Sequence, residues 1–197
     1  MIDIQKEIEK KFPNINKKDN FLKKSLFKIA KKIVHEDSIN QFLAQNSHLK
    51  GFEFVDAVLD YFDFDYAVSS NDLQNIPTSG KVVIIANHPL GGLDALCLLR
   101  LIGQIRKDVK IVANDFLAGF DALNSLIITI DNYKLKQSKS DIKKIYEALN
   151  NEEALIIFPA GEVSRATPKG IKDPAWNKGF LNFAQNTNAP ILPIFLD

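Results

Sequence analysis

Short, almost entirely apolar runs recur through the second part of the chain and alternate with segments of helical periodicity. The runs are VVIIA at 82–86, KIVA at 110–113, SLIITI at 125–130, ALIIF at 154–158 and ILPIFL at 191–196. Helical patterns occupy residues 93–105, 140–149 and 178–185. A strand that is apolar along its whole length is buried on both faces, which is typical of a parallel sheet covered by helices. The sequence therefore predicts an α/β fold with a largely parallel central sheet flanked by helices.

The first part of the chain has helical patterns instead. Residues 51–62 form an apolar helix pattern, residues 64–68 have the composition of a short strand, and the turn-rich residues 71–80 mark a junction. We therefore predict a helical N-terminal region, residues 1–77, packed on the core of an α/β domain, residues 78–197. Because the chain stops directly after the last predicted strand, we expect this domain to be truncated at its C-terminus.

The charge is uneven along the chain. The total is +1, which gives no reason to expect a nucleic-acid partner, but residues 1–34 carry ten lysines and four carboxylates, a net charge of +6. Within them, residues 20–34 place apolar side chains on one helical face and lysines around it. A basic amphipathic segment predicts an anionic membrane surface as a partner. With no apolar run near the ~18 residues of a membrane span and no leader pattern, we expect a cytoplasmic protein, peripheral on the inner face of the membrane.

The motif ANHPLGGLD, residues 86–94, follows the first apolar run directly and precedes a helix. Ligands of open α/β sheets bind at the carboxyl ends of strands, so this motif is delivered to a binding edge. His88 and Asp94 are joined by a glycine-rich turn and can face each other, so that the carboxylate fixes the imidazole tautomer. The other ring nitrogen is then a general base. The alternative is a histidine that caps the helix and an aspartate on the surface.

A second motif, FPAGEVSR at residues 158–165, also follows an apolar run. Arg165 can hold a phosphate or carboxylate in a fork of N–H donors. The backbone near Gly161 can donate N–H groups to an anion or oxyanion. The alternative is an ordinary polar loop with a surface ion pair between Glu162 and Arg165.

ANHPLGGLD, FPAGEVSR and APILPI, in this order, resemble the phospholipid/glycerol acyltransferase family, over roughly residues 50–197. They look most like its bacterial haemolysin-like branch, which includes ornithine-lipid and other amino-acid-lipid O-acyltransferases. The resemblance implies that His88 is the general base and that Asp94 orients it. It places binding of the acceptor on the second motif. The predicted substrate-binding residues are Asn87, Gly91, Gly92, Gly161, Glu162, Ser164 and Arg165.

Three features depart from the family pattern. Five residues separate His88 from Asp94, where the family has four; Ala160 stands where the family has glutamate; and an arginine usual in the family is absent near residues 125–134, where Lys134 is the nearest cation. The missing phosphate ligand favours a lyso-amino-acid lipid over lysophosphatidate as the acceptor.

The resemblance implies an O-acyltransferase that moves a fatty acyl group from acyl-carrier protein or acyl-CoA to the hydroxyl of a lysolipid, with no metal and no bound cofactor. One alternative is a thioesterase or other hydrolase. No G-x-S-x-G motif is present, and the lone Cys97 lies in an apolar helix pattern, which makes it a poor nucleophile. The second alternative is a non-catalytic lipid-binding protein of the membrane surface.

Overall fold

The computed structural model describes residues 3, 9, 35–113, 117, 119–130, 139–168 and 170–197. The chain forms two compact units, Met1–Leu49 and Lys50–Asp197. The predicted division at residue 77 stays a prediction. The basic face predicted for residues 20–34 and the cation Lys134 lie outside the described residues. In the first unit, helix α1 spans Glu36–Gln45, buries Phe42, and ends where the Asn46 side chain donates to the Phe42 carbonyl.

The second unit alternates helices with strands. Its helices are α2 (Phe52–Tyr61), the single turn α3 (Ser70–Leu73), α4 (Gly92–Ile105), α5 (Lys139–Asn150) and α6 (Gly179–Thr187), with a 3₁₀ turn at Asp121–Leu123. Its strands are β1 (Val82–Ala86), β2 (Val109–Ala113), β3 (Ile127–Thr129), β4 (Ala154–Ile157), β5 (Arg165–Thr167), β6 (Gly170–Lys172) and β7 (Ile191–Ile194). Residues 64–68 have no regular structure, so the strand predicted there is wrong.

Five strands form one parallel sheet in the order β3-β2-β4-β1-β7. This confirms the predicted α/β fold with a parallel central sheet. Two of the three inner strands, β4 and β1, are buried along their whole length, which is why their sequences are uninterrupted apolar runs. Strand β7 is an edge strand of this sheet and pairs with β1. Pro193 has no N–H, and it is tolerated in β7 because the outer side of an edge strand needs no ladder hydrogen bond.

Helices cover both faces of the sheet. On one face α5 and α6 pack over a buried cluster that includes Val83, Ile85, Leu155 and Leu149. Because side chains alternate along a strand, Ile84 points to the opposite face, where α4 packs on β2 and on α2. Both faces are therefore closed, and the ends of the strands are left as the places where a ligand can reach the sheet.

A buried arginine secures the amino ends of the strands. Arg106, which lies between α4 and β2, is 4% exposed and donates two hydrogen bonds of 2.7 Å to the Asp108 carboxylate. It also donates to the carbonyls of Pro77, Gly80 and Glu152. We call this set the Arg106 staple. The bonds from Arg106 lower the pKa of the Asp108 carboxyl against the smaller effect of its burial. The staple joins segments that lead into β1, β2 and β4 at the edge opposite their carboxyl ends.

Beyond the large sheet, β5 and β6 form a two-stranded antiparallel hairpin. It lies between the second motif and α6, and the sequence did not predict it. No helix within the described ranges is long and apolar enough to cross a membrane.

Candidate active site

The carboxyl ends of β1, β4 and β7 bring three segments together at one edge of the sheet. The ring of His88, just after β1, stacks on the ring of Phe158, just after β4, with centroids 3.9 Å apart and planes 19° apart. The Asn87 amide donates to the carbonyl of Leu196 and accepts from its N–H, both at 2.7 Å, and so ties the end of β7 to the same turn. Asn87 is thus paired with backbone, and its predicted part in substrate binding stays a prediction.

The turn between β1 and α4 brings His88 and Asp94 into contact. His88 Nδ1 lies 3.1 Å from Asp94 Oδ2. The same oxygen accepts the backbone N–H groups of Leu90 at 2.7 Å and Gly91 at 3.1 Å, so the carboxylate also caps the first turn of α4. A side chain on the surface is excluded for Asp94, because it is 4% exposed. The alternative of a capping histidine with a surface aspartate is therefore wrong: the cap is Asp94, and the same carboxylate oxygen contacts His88.

Gly91 allows this turn to be tight. It has φ +73°, and a Cβ added there would lie 3.2 Å from Val163 Cγ2 in the second motif. A positive φ is readily adopted by glycine alone, and the close approach excludes a larger side chain. The two motifs therefore meet at Gly91.

The geometry determines the tautomer of His88. An ionised carboxylate can only accept, so Nδ1 carries the ring proton towards Asp94 and Nε2 presents a lone pair. Nε2 has no hydrogen-bond partner among the residues that the structure describes, and the side chain is 15% exposed. This nitrogen is thus placed to accept a proton from a bound molecule.

Asp173 is a member of the site that the sequence did not reveal. Its Oδ1 accepts the backbone N–H of His88 at 3.2 Å and the hydroxyl of Ser164, and its Oδ2 accepts Trp176 Nε1–H at 2.8 Å. Burial raises the pKa of the Asp173 carboxyl, but these hydrogen bonds outweigh that effect and hold it below its usual value. The carboxylate lies in a segment without regular structure, where no periodicity could have marked it.

The polar residues of the second motif separate into an exposed ion pair and a serine bonded to the first motif. Arg165 Nη2 lies 2.8 and 2.7 Å from the two oxygens of Glu162, and both side chains are exposed. The Ser164 backbone N–H donates to the His88 carbonyl at 2.8 Å. The structure therefore places Ser164 against His88 and leaves the Arg165–Glu162 pair at the surface. Binding of substrate by these three residues stays a prediction.

Two of the three glycines predicted to bind substrate have backbone N–H groups that already donate within the protein. The N–H of Gly161 donates to the Phe158 carbonyl at 3.0 Å, and that of Gly91 donates to Asp94. Gly92 is exposed and opens α4, where the helix dipole is positive. Of the three predicted glycines, it is the one whose N–H has no observed acceptor within the described part of the chain.

Cys97 lies on the buried side of α4. Burial is the main cause that raises the pKa of its thiol to about 11, and the nearby Asp94 charge adds to it. A thiol that is hardly ionised near neutral pH is a poor nucleophile. In the part of the chain that the structure describes, no three His, Cys, Asp or Glu side chains are grouped so that they could hold a metal ion.

Comparison with known proteins identifies related chains. The model of the family described as Acyltransferase matches residues 7–197. A lyso-glycine lipid O-acyltransferase of Phocaeicola vulgatus is 31% identical over 199 residues, covering 100% of this chain and 69% of the relative. A lyso-glycine lipid O-acyltransferase of Bacteroides thetaiotaomicron is 31% identical over 195 residues, covering 98% of this chain and 70% of the relative.

Proposed function

This chain belongs to the acyltransferase family, and from that premise we propose that it acylates the hydroxyl of a lyso-amino-acid lipid with His88 as the general base. Membership of the family confirms the resemblance seen in the motifs, and the protein is an O-acyltransferase. The observation that carries the proposal is the contact of His88 Nδ1 with the buried Asp94 carboxylate, which leaves Nε2 without a hydrogen-bond partner among the described residues.

The proposed reaction balances with this one base. Nε2 of His88 takes the proton of the acceptor hydroxyl, and the oxygen attacks the thioester carbonyl. The tetrahedral intermediate then collapses: the carbon–sulfur bond breaks, and the thiolate leaves and takes the proton back from His88. Base help of this kind contributes about 10²–10⁴ in rate. Asp94 supports it by stabilising the imidazolium that forms in between.

The oxyanion of that intermediate needs a donor. We assign this role to the start of α4, where the exposed Gly92 N–H coincides with the positive end of the helix dipole. The acyl donor, acyl-carrier protein or acyl-CoA, enters as a substrate, and the reaction as proposed uses no bound cofactor and no metal.

A lyso-amino-acid lipid is favoured as the acceptor because both curated relatives are named for lyso-glycine lipid. Such a headgroup presents a carboxylate rather than a phosphate. Arg165 is the last residue of the second motif, and its guanidinium donates from Nη2 to the Glu162 carboxylate. A planar guanidinium retains further N–H donors for a second carboxylate, which suits this acceptor.

We further propose that the protein lies peripherally on a lipid surface, on the cytoplasmic side of the membrane. Five exposed apolar side chains on segments next to the site support the contact with lipid. They are Leu90, Val163, Ile171, Trp176 and Phe195, which we call the apolar rim. Each lies on a segment that leads to or from the site, and their exposed fractions run from 41% to 79%. Large apolar groups exposed near a binding site are candidates for contact with a partner. A lipid is the partner that this enzyme class requires.

The decisive experiment combines purified protein with acyl-carrier protein or acyl-CoA carrying a labelled acyl chain, and with lyso-glycine lipid, lyso-ornithine lipid or lysophosphatidate. We expect acylated lyso-amino-acid lipid, and a loss of about 10²–10⁴ in rate for His88→Ala. His48→Ala, which removes an exposed imidazole from the first unit, is the matched control and keeps the full rate. Free fatty acid as the main product would show a thioesterase instead, and full turnover by His88→Ala would refute the mechanism.

A further inference from the structure

We propose that Asp173 is a positioning residue that fixes the main chain of His88, so that the imidazole is held at its proton-transfer position. The inference rests on the proposed function of His88. It concerns a residue outside both motifs, in a segment that the catalytic chemistry does not otherwise use.

His88 needs such support because of where it lies. The ladder of β1 ends with the pairing of Ala86 and Ile194, so the main chain at His88 is past the last register pair of the sheet. Asp94 and Phe158 contact the imidazole ring of His88, and neither of these contacts involves its main chain. Displacement of a catalytic group by about 1 Å can cost about 10² in rate.

Both backbone groups of His88 are held by one small unit. Its N–H donates to Asp173 Oδ1 at 3.2 Å, and its carbonyl accepts the N–H of Ser164 at 2.8 Å. The Ser164 hydroxyl also donates to Asp173 Oδ1, so the three residues form a closed set of bonds. This arrangement fixes the position of His88 more firmly than two separate contacts would. Because Asp173 and Ser164 are also bonded to each other, a displacement of any one of the three residues strains its bonds to the other two.

The β5–β6 hairpin explains how Ser164 and Asp173 come to be side by side. Its register pairs Thr167 with Gly170, Ala166 with Ile171, and Arg165 with Lys172. Ser164 and Asp173 are the next pair outward, at the open end of the hairpin. The hairpin is exposed along its length, so burial of a core is not its main contribution. Its open end presents a matched donor and acceptor to the His88 main chain.

Two further observations show that the carboxylate is fixed and charged. Trp176 Nε1–H donates to its second oxygen at 2.8 Å, which sets the plane of the carboxylate. The hydrogen bonds that it accepts keep its pKa below the usual value in spite of burial, so it is ionised near neutral pH. Hydrogen bonds to an ionised acceptor are roughly twice as strong as those between neutral groups.

The kinetic test uses Asp173→Ala and Asp173→Asn in the full chain. We expect kcat to fall about 10–100-fold in Asp173→Ala, with KM for the donor and the acceptor within about twofold. Asp173→Asn retains an oxygen that accepts from His88 and Ser164 but loses an acceptor for Trp176. Its kcat should therefore lie between those of the wild type and Asp173→Ala, and it guards against a failure of Asp173→Ala to fold.

The matched control is Asp108→Ala, which removes a carboxylate of the Arg106 staple at the opposite edge of the sheet. We expect it to lower the free energy of unfolding and to leave kcat of the folded protein unchanged. A double variant, His88→Ala/Asp173→Ala, should be no slower than His88→Ala alone, because Asp173 acts through His88. Independent, multiplied losses would overturn the inference, as would a wild-type kcat in Asp173→Ala.

A spectroscopic measurement keeps the inference separate from the proposed function. The chain has three histidines, so the ring signals in an NMR spectrum of histidine-labelled protein are few, and His88→Ala identifies one of them. We expect Asp173→Ala to shift or broaden the His88 ring signals and leave those of His35 and His48 in place. Unchanged His88 signals would overturn the inference even if His88 were not the base. Full activity in His88→Ala would refute the proposed function alone.

Discussion

Asp94 shows how much one buried side chain can determine in this site. Its Oδ2 accepts from the histidine ring and from two backbone N–H groups of the turn, so the cap of α4 and the orientation of His88 depend on the same oxygen. Because Asp94 caps the first turn of α4, the residue at which this helix begins also fixes the position of the carboxylate next to His88. Five intervening residues instead of four are accommodated because Gly91, with its positive φ, turns the chain sharply just before α4.

Replacing Asp94 separates these two contributions. In Asp94→Asn the amide oxygen can still cap the helix, but the histidine no longer faces a carboxylate. We expect kcat to fall by about 10²–10⁴ with a change of about 1 kcal/mol in the free energy of unfolding. Asp94→Ala should add the loss of the cap, about 1–2 kcal/mol. Rate measurements and urea unfolding of both variants check this, and an Asp94→Asn enzyme of wild-type kcat would contradict it.

Cys97 gives a prediction on a single thiol. Because burial raises its pKa to about 11, the thiol is hardly ionised at pH 8 and is covered by its neighbours. We expect no reaction with Ellman's reagent in the native protein and one equivalent in denaturant. Blocked activity after rapid native labelling would contradict the assignment of Cys97 to the core.

At the scale of elements, the Arg106 staple and the active site lie at opposite ends of the same strands. Arg106→Met should leave the carbonyls of Pro77, Gly80 and Glu152 without their donor. We expect a loss of about 3 kcal/mol in the free energy of unfolding, from the cost of unpaired buried acceptors. The kcat of the folded fraction should not change. Urea unfolding and an assay at low temperature measure the two quantities, and a selective loss of kcat would contradict the separation.

The staple also predicts a dependence of stability on pH. The pKa of Asp108 is lower in the folded chain than its ordinary value of 3.8, so the folded state binds this proton less readily than the unfolded state. Its contribution is fully present above 3.8 and is lost as the pH falls through the lower folded value. We expect Asp108→Asn to flatten the acid limb of the unfolding free energy against pH, and an unchanged limb would contradict this.

Some elements of the fold could be predicted from the sequence, and others could not. The strands buried on both faces, such as VVIIA and ALII, were predictable because burial imposes a composition that local patterns show. The β5–β6 hairpin was not, because its short strands are exposed and have no periodic apolar pattern. Within the site, the contact of His88 with Asp94 was predictable from one tight turn. Asp173 lies 85 residues from His88 along the chain, and Phe158 lies 70 residues from it. Their contacts with His88 arise from the packing of distant segments, which local sequence patterns do not show.

For the whole molecule, the apolar rim predicts how the enzyme meets its substrate. We expect Ile171→Glu to weaken binding to vesicles of anionic lipid and to raise KM for a lysolipid held in vesicles, since Ile171 is 65% exposed and its replacement disturbs no core. Turnover of a short-chain, monomeric acceptor should be unaffected. Val68→Glu, which changes an exposed apolar side chain that is not part of the rim, is the matched control. Vesicle sedimentation and the two assays decide, and equal binding by Ile171→Glu would contradict the proposed surface.

The link between Asn87 and Leu196 limits how early in synthesis the turn of His88 can be fully bonded. The turn that carries His88 is synthesised early, but its bonds are made to residues 164 and 173 and, through Asn87, to residue 196. Strand β1 likewise receives both of its neighbours, β4 and β7, late in synthesis. The full set of bonds that holds the turn of His88 can therefore form only after residue 196 has been synthesised.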